Sequence, residues 1–407
     1  MFSSRLYCLL LLAVTVVASP VVEPRADVMA SLPLTLQRNV TGGQEMVSAG
    51  RQRAQALRAY GHGKSHHDQP ADEPVANRDV VYTANVGVGS AGQTCKCLNL
   101  IVDTGSSNTW VGAAGAAKPY VPSDTSQNTH DQVFVRYGSG FFGGEEYIDR
   151  VTLSDRLVIE RQSIGVARFQ QGIPFDGILG VGPTALTRGT LPFKPDVTIS
   201  TVTDNLYQQH TIQQAALGVF FAPAASDSPG GAITFGGVDR SLPKTTTSPA
   251  SAYWGYDQSI TYGGKQILAK TAGIADTGTT LIYLPTDAYR AYMASTGAVE
   301  DQQTGLLRVT AEQFENMQSL TFNVSGEDFA LIPDAQLWPR SRNAEIGGTP
   351  DGYYLIVANI GSNSGQGLDF INGYAFLERY YSYYDTKDSK MGFATTKYTN
   401  AMVNSQA

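Results

Sequence analysis

Ile101-Val102-Asp103-Thr104-Gly105-Ser106-Ser107 has a near copy 173 residues on, Ile274-Ala275-Asp276-Thr277-Gly278-Thr279-Thr280. In both places a short apolar run delivers an Asp-Thr-Gly turn with hydroxyl residues on its exit. A single such tripeptide carries little information in a chain of 407 residues, but two with matched flanks describe a duplicated structural unit. The chemistry also favours a pair. One carboxylate is a weak catalyst of amide hydrolysis, whereas two that face each other can share one proton and activate a water between them.

The duplication extends outward. Phe175-Asp176-Gly177-Ile178-Leu179-Gly180 follows the first motif and Phe370-Ile371-Asn372-Gly373 the second, so each aspartate turn has a later partner of two apolar-type positions and a glycine. The body between and around them is poor in charge, rich in Gly, Thr, Ser, Tyr and Val, and broken by turn residues every 8–12 positions, which predicts a mostly β protein. Residues 82–89 alternate before a Gly-rich turn, and residues 98–102 form an apolar strand into Asp103. Helices are predicted only around residues 287–295 and 311–317. The Thr/Ser/Pro-rich stretch 241–249 reads as the connection between two β lobes, 71–245 and 246–407.

The amino-terminal part differs in kind. Arg5 precedes a mostly apolar run, residues 6–18, which is too short to span a bilayer and ends on small residues. It reads as a cleaved secretory signal, 1–18, and predicts an exported protein with no membrane or lipid anchor. Residues 1–67 carry seven Lys/Arg against three acids, and the remainder 22 against 33. A basic segment ahead of an acidic body predicts a pro-segment, about 19–70, that lies on that body by charge complementarity; a disordered tail is the alternative. His62, His66 and His67 near its end are positioned to respond to mild acid. Cys95 and Cys97 are separated by one residue, too close for an unstrained bridge, and two free thiols in a loop are an equal reading. No metal-ligand cluster and no nucleotide or nucleic-acid signature is evident, so neither a cofactor nor a metal is expected.

With these motifs in order, the chain resembles the pepsin-like aspartic peptidases, in particular the secreted fungal polyporopepsin-type enzymes. The resemblance rests on 103–110 (Asp-Thr-Gly-Ser-Ser-Asn-Thr-Trp), Tyr137-Gly138-Ser139-Gly140, 175–180, 276–279 and Phe376-Leu377-Glu378-Arg379-Tyr380-Tyr381, and covers about residues 78–399. One departure is visible: Asn372 stands where that family has an aliphatic residue before its glycine. The resemblance implies a bilobal fold with the cleft between two homologous lobes and Asp103 and Asp276 as the catalytic pair. It also implies a flap carrying Tyr137, Gly138 and Ser139 that closes over substrate, with Tyr137 held by the Trp110 indole N–H.

The neighbouring residues fit that chemistry on their own terms. Gly105 and Gly278 let backbone N–H groups approach the carboxylates, Thr104 and Thr277 can bond across to the opposite loop, and Ser106 and Thr279 can donate to the outer carboxylate oxygens. Ile101, Tyr137, Phe169, Phe175 and Ile178 are candidate apolar subsite walls, predicting cleavage between bulky hydrophobic residues. Glu145 and Glu146 read as solvated edge charges. In related zymogens a pro-segment cation silences the dyad, and Arg58 and Lys64 are the candidates here. No dibasic pair occurs, so self-cleavage on acidification is the expected maturation route.

Asn323-Val324-Ser325 fits a glycosylation acceptor that would survive maturation, unlike Asn39-Val40-Thr41. Both halves of the site lie in one chain, so a monomer acting on polypeptides is expected. Two competing readings are a catalytically silent relative and a secreted carbohydrate-binding β protein. The first would ordinarily lack an Asp, a motif Gly or the flap Tyr, and the second leaves the duplicated Asp motifs without a role.

Overall fold

The computed structural model describes residues 30–37, 42–61, 81–90, 96–112, 118–138, 140–227, 230–237 and 242–406. The signal segment, Asn39, His62, Lys64, His66, His67, Cys95, the Cys97 side chain and Ser139 lie outside the described residues.

The chain folds as a bilobal β protein. A thirteen-stranded sheet builds the first lobe and reaches across to the end of the chain, where Tyr380–Asp385 and Lys390–Thr395 pair next to Ala216–Ala222. A seven-stranded sheet and a three-stranded one build the second lobe. Two parallel pairings repeat the same design in both halves. Lys96–Asp103 lies parallel to Gly177–Gly180, with Val102 opposite Leu179, and Lys265–Ala275 lies parallel to Phe370–Asn372, with Ala275 opposite Asn372. Each motif glycine thus allows a strand to pack tightly behind an aspartate turn. A Cβ on Gly180 would strike the backbone of Ser107 and Asn108, and one on Gly373 the carbonyls of Thr279 and Leu281.

The expected helices are present as Thr286–Thr296 and Ala311–Glu315. The connection at 241–249 is less free than its composition indicates, because Leu242–Pro243 joins the large sheet against Met391 and Lys390. The core runs continuously through both lobes, and a separate apolar cluster of Ile101, Trp110, Val133, Val135, Tyr137, Phe142 and Ile178 sits beneath the flap. No described helix is long and apolar enough to cross a membrane.

The described parts of the basic amino-terminal segment, residues 30–37 and 42–61, are built into the fold. Ala30–Gln37 is an interior strand, antiparallel to Gly230–Phe235 on one side and Val81–Val88 on the other. Gly43–Gly61 is a helix of 19 residues, with Glu45 in its first turn and Arg58 in its last complementing the helix dipole. Met46, Val47, Gly50, Ala54 and Leu57 recur at helical spacing and are buried. That face packs into the groove between the lobes. Tyr283 donates to the Met46 carbonyl at 3.1 Å and Tyr253 to the Leu57 carbonyl at 2.8 Å, from the second lobe. On the first lobe, Tyr60 donates to the carbonyls of Leu186 and Arg188.

Candidate active site

Asp103 ends its strand and Asp276 follows its own, so the two parallel designs bring both carboxylates to the floor of the groove, fully buried. The two turns are braced to each other. Thr104 N–H donates to Thr277 Oγ1 at 3.0 Å and Thr277 N–H to Thr104 Oγ1 at 2.9 Å. Each threonine hydroxyl then donates onward, to the Ala275 carbonyl at 3.4 Å and the Val102 carbonyl at 2.9 Å. This reciprocal exchange uses every polar group of the two side chains and fixes one lobe against the other.

Around each carboxylate the donors are matched. Gly105 N–H reaches Asp103 Oδ1 at 2.9 Å and Gly278 N–H reaches Asp276 Oδ1 at 3.0 Å. Ser106 Oγ donates to Asp103 Oδ2 at 2.6 Å, and Thr279 Oγ1 to Asp276 Oδ2 at 2.5 Å. The glycines are needed for a second reason. A Cβ on Gly105 would lie 2.7 Å from Asp276 Oδ1, and one on Gly278 2.7 Å from Asp103 Oδ1, so any side chain there would push the pair apart.

Between the carboxylates stands Arg53 of the groove helix. Its Nη2 donates to Asp103 Oδ1 at 2.7 Å and to Asp276 Oδ1 at 2.9 Å, and its Nε donates to Asp276 Oδ2 at 2.7 Å. Burial works against the guanidinium charge, but the two carboxylates overcome it and raise Arg53 above its ordinary range. Burial also pushes Asp103 up, reinforced by the charge of Asp276 and only partly offset by Arg53. Asp276 receives two of the three guanidinium bonds. Burial raises it too, yet Arg53, Thr279 and Gly278 hold it below the usual carboxylate range. The cation against the pair is therefore Arg53 and not Arg58, whose Nε donates to the Leu368 carbonyl at 2.8 Å; Lys64 lies outside the described residues. The sequence holds a signal that points to Arg53. It sits on the stripe 46, 50, 53, 57, where a helix that packs an apolar face places a charge only if a partner awaits it.

The hairpin Gln127–Tyr137 and Gly140–Ser154 hangs over this floor, with Tyr137 paired to Gly140 across its tip. The groove helix lies directly beneath it, so a Cβ on Gly138 would collide with the Arg53 backbone. The expected contact is present but loose: the Tyr137 hydroxyl and the Trp110 indole N–H are both buried and interact, without a hydrogen bond of good geometry. Trp110 also stacks on Phe142, with ring centroids 4.6 Å apart.

Of the candidate subsite residues, Ile101, Tyr137 and Ile178 share the cluster beneath the flap and Phe175 packs against it. Phe169 does not join them. It is 53% exposed and packs edge-on against Phe141. The groove also gathers Leu186, Tyr253 and Tyr283, which the sequence reading did not single out; Leu186 and Tyr253 line the space left around Arg53, Leu57 and Tyr60, while Tyr283 packs on Gly50.

Glu145 is a surface charge paired with Arg168, but Glu146 is not. It is buried, accepts from Ser163 Oγ at 2.7 Å through one oxygen and leaves the other without a partner, and burial pushes it up to about 7. Alternation explains the difference, since 145 and 146 face opposite sides of the flap strand. Asn323 sits beside the hairpin tip that joins the strands Leu320–Val324 and Glu327–Leu331, its amide donating to Asp328 at 2.6 Å.

Comparison with known proteins agrees with this geometry. A sequence model of the eukaryotic aspartyl proteases matches residues 81–396. This chain belongs to that family. It is 52% identical over 342 residues to polyporopepsin of Irpex lacteus, covering 81% of this chain and 98% of that one. To human gastricsin it is 30% identical over 346 residues, 79% of this chain and 83% of the other. The crystal structure of an aspartic proteinase from Irpex lacteus superposes with a TM-score of 0.77 at 45% identity, covering 92% of this chain and all of that one. The chain is a pepsin-like aspartic endopeptidase, which sets aside the carbohydrate-binding alternative.

Proposed function

We propose that this chain is the precursor of a secreted endopeptidase that hydrolyses peptide bonds between bulky hydrophobic residues at acid pH, using Asp103 and Asp276 with a bridging water. The observation that carries the reading is the Arg53 guanidinium, hydrogen-bonded to both carboxylates at the point where a water bound to both would sit.

In the working enzyme the pair carries one proton, because two like charges this close cannot both ionise without a cation between them. The ionised partner removes a proton from the water as its oxygen attacks the scissile carbonyl carbon. The protonated partner donates to the carbonyl oxygen. The carboxyl that took the water's proton then gives it to the nitrogen, while the other carboxylate takes a proton from a hydroxyl of the tetrahedral gem-diol. The C–N bond breaks, and amine and carboxylic acid leave with the dyad back in its starting state. Buried Oγ donors and glycine N–H groups stabilise the ionised member.

Latency follows from the same contacts. The ion pairs hold the helix in the groove while the carboxylates are charged. The depressed Asp276 contributes that hold above its ordinary range and loses it as the pH falls through its lowered value. Acid thus loosens the helix and removes its obstruction, and self-cleavage of the segment before about residue 70 completes maturation. The apolar cluster beneath the flap supports the hydrophobic preference. Denatured haemoglobin at acid pH, with and without a statine-type peptide, tests the reading: hydrolysis blocked by the peptide is expected. Equal turnover of a Lys-for-Phe substrate pair would refute the pocket preference, and normal maturation of a dyad-dead variant expressed alone would refute self-cleavage.

A further inference from the structure

The two aspartate turns are built alike except for the residue behind each. In the first lobe Val102 is paired with Leu179; in the second Ala275 is paired with Asn372. Both Leu179 and Asn372 are wholly buried, so the chain itself contains the aliphatic version of the design as an internal reference.

The Asn372 backbone carbonyl accepts from Asp276 N–H at 3.1 Å, a bond any residue there would keep, but its side chain makes contacts that a leucine cannot. Its amide Nδ2 donates to the Tyr256 hydroxyl at 2.6 Å and to Gln258 Oε1 at 3.1 Å. Tyr256 and Gln258 stand two apart on Gly255–Tyr262, and that strand is separated from Phe370–Asn372 by the intervening Lys265–Ala275, which delivers Asp276. The side chain therefore crosses over the aspartate strand to reach its far neighbour, at a place where that strand carries Gly273 and Ala275. A Cβ on Gly273 would strike the Phe370 ring, so the crossing point has no spare room. Burial raises the Tyr256 hydroxyl well above its ordinary value, so it stays neutral throughout the acid range. Asn372 Oδ1 and Gln258 Nε2, an acceptor and a donor, are both buried without partners, which makes the bridge sensitive to any change in its members.

We propose that Asn372 is a positioning residue for Asp276, its side chain tying the strands that flank the aspartate strand while its carbonyl anchors the Asp276 amide. The inference rests on the dyad reading above. A small displacement of Asp276 alters its alignment with the water and its distance from Asp103, so the chemical step should suffer before substrate binding does.

Asn372→Leu, which copies the first lobe, and Tyr256→Phe, which removes one hydroxyl, test this in the mature enzyme. Both should lower kcat, the first by about tenfold or more, with KM within about twofold. The double variant should be no slower than Asn372→Leu alone, since both break one bridge. The limbs of the pH–kcat profile should also move, because the separation of the two carboxylates sets the gap between their apparent titrations. Folded variants with wild-type kcat and an unmoved profile, or a change confined to KM, would overturn the proposal. Should Asn372→Leu fail to fold, Tyr256→Phe alone decides. An inactive Asp276→Asn beside unaffected Asn372→Leu and Tyr256→Phe sinks only this inference, whereas an active Asp276→Asn sinks the dyad itself.

Discussion

Arg53 is a single side chain whose removal exposes a conflict that the rest of the site is built to use. Without it, two buried carboxylates face each other across the floor with no countercharge, and the helix loses three charge-assisted hydrogen bonds. The Arg53→Ala precursor should therefore begin to hydrolyse a peptide substrate at a pH about one unit or more above the wild-type precursor. Following activity while the pH is lowered in steps checks this, and an unchanged onset would mean that the helix is held by its apolar face alone. The residue was hidden from motif reading because no short pattern marks it. The signal is periodic, a charge inside the stripe 46, 50, 53, 57, and emerges only once the segment is treated as a helix. The meeting of Asp103 and Asp276 at the groove floor, by contrast, is legible, because their neighbours are particular residue types at fixed offsets.

Among the elements, the flap strands show how burial overrides composition. Glu145-Glu146 looks like a pair of edge charges, yet the strand is covered on one side and Glu146 is carried inside. Its ordinary value is 4.5 and burial raises it to about 7. Between those limits the unfolded chain has released the proton and the folded chain has kept it. Stability must then fall as pH rises from 4.5 to 7, by on the order of 3 kcal/mol from this group, and level off outside that window. Glu146→Gln should flatten that part of the slope. Urea midpoints at pH 4.5 and 7 measure it, and parallel slopes for variant and wild type would contradict the assignment. The same element holds two placements that local sequence does not fix: how closely Tyr137 approaches Trp110, and the outward-facing side chain of Phe169. The first depends on what occupies the groove and the second on which side of a long strand the residue stands. Neither is encoded in a local motif.

At the scale of the molecule, the amino-terminal strand and helix are structural parts of the fold. Ala30–Gln37 is hydrogen-bonded on both sides within the large sheet, and the groove helix touches both lobes. A chain produced without residues 19–70 should consequently refold in much lower yield than the full precursor at equal concentration, which recovered activity after dilution from urea would report. Equal recovery would show that the lobes assemble unaided. Charge balance revealed that this segment lies on the body, but its strand and helix are sustained by tertiary contacts that composition does not record.

The central claim is that Asp103 and Asp276 act on one water together. It is tested most directly by the haemoglobin-hydrolysing rate at acid pH of Asp103→Asn and Asp276→Asn, each converted to the mature form by an added protease of another class. Both should lose activity by about a thousandfold or more, because neither carboxylate can perform both proton transfers alone. A rate near wild type for either variant would contradict the account.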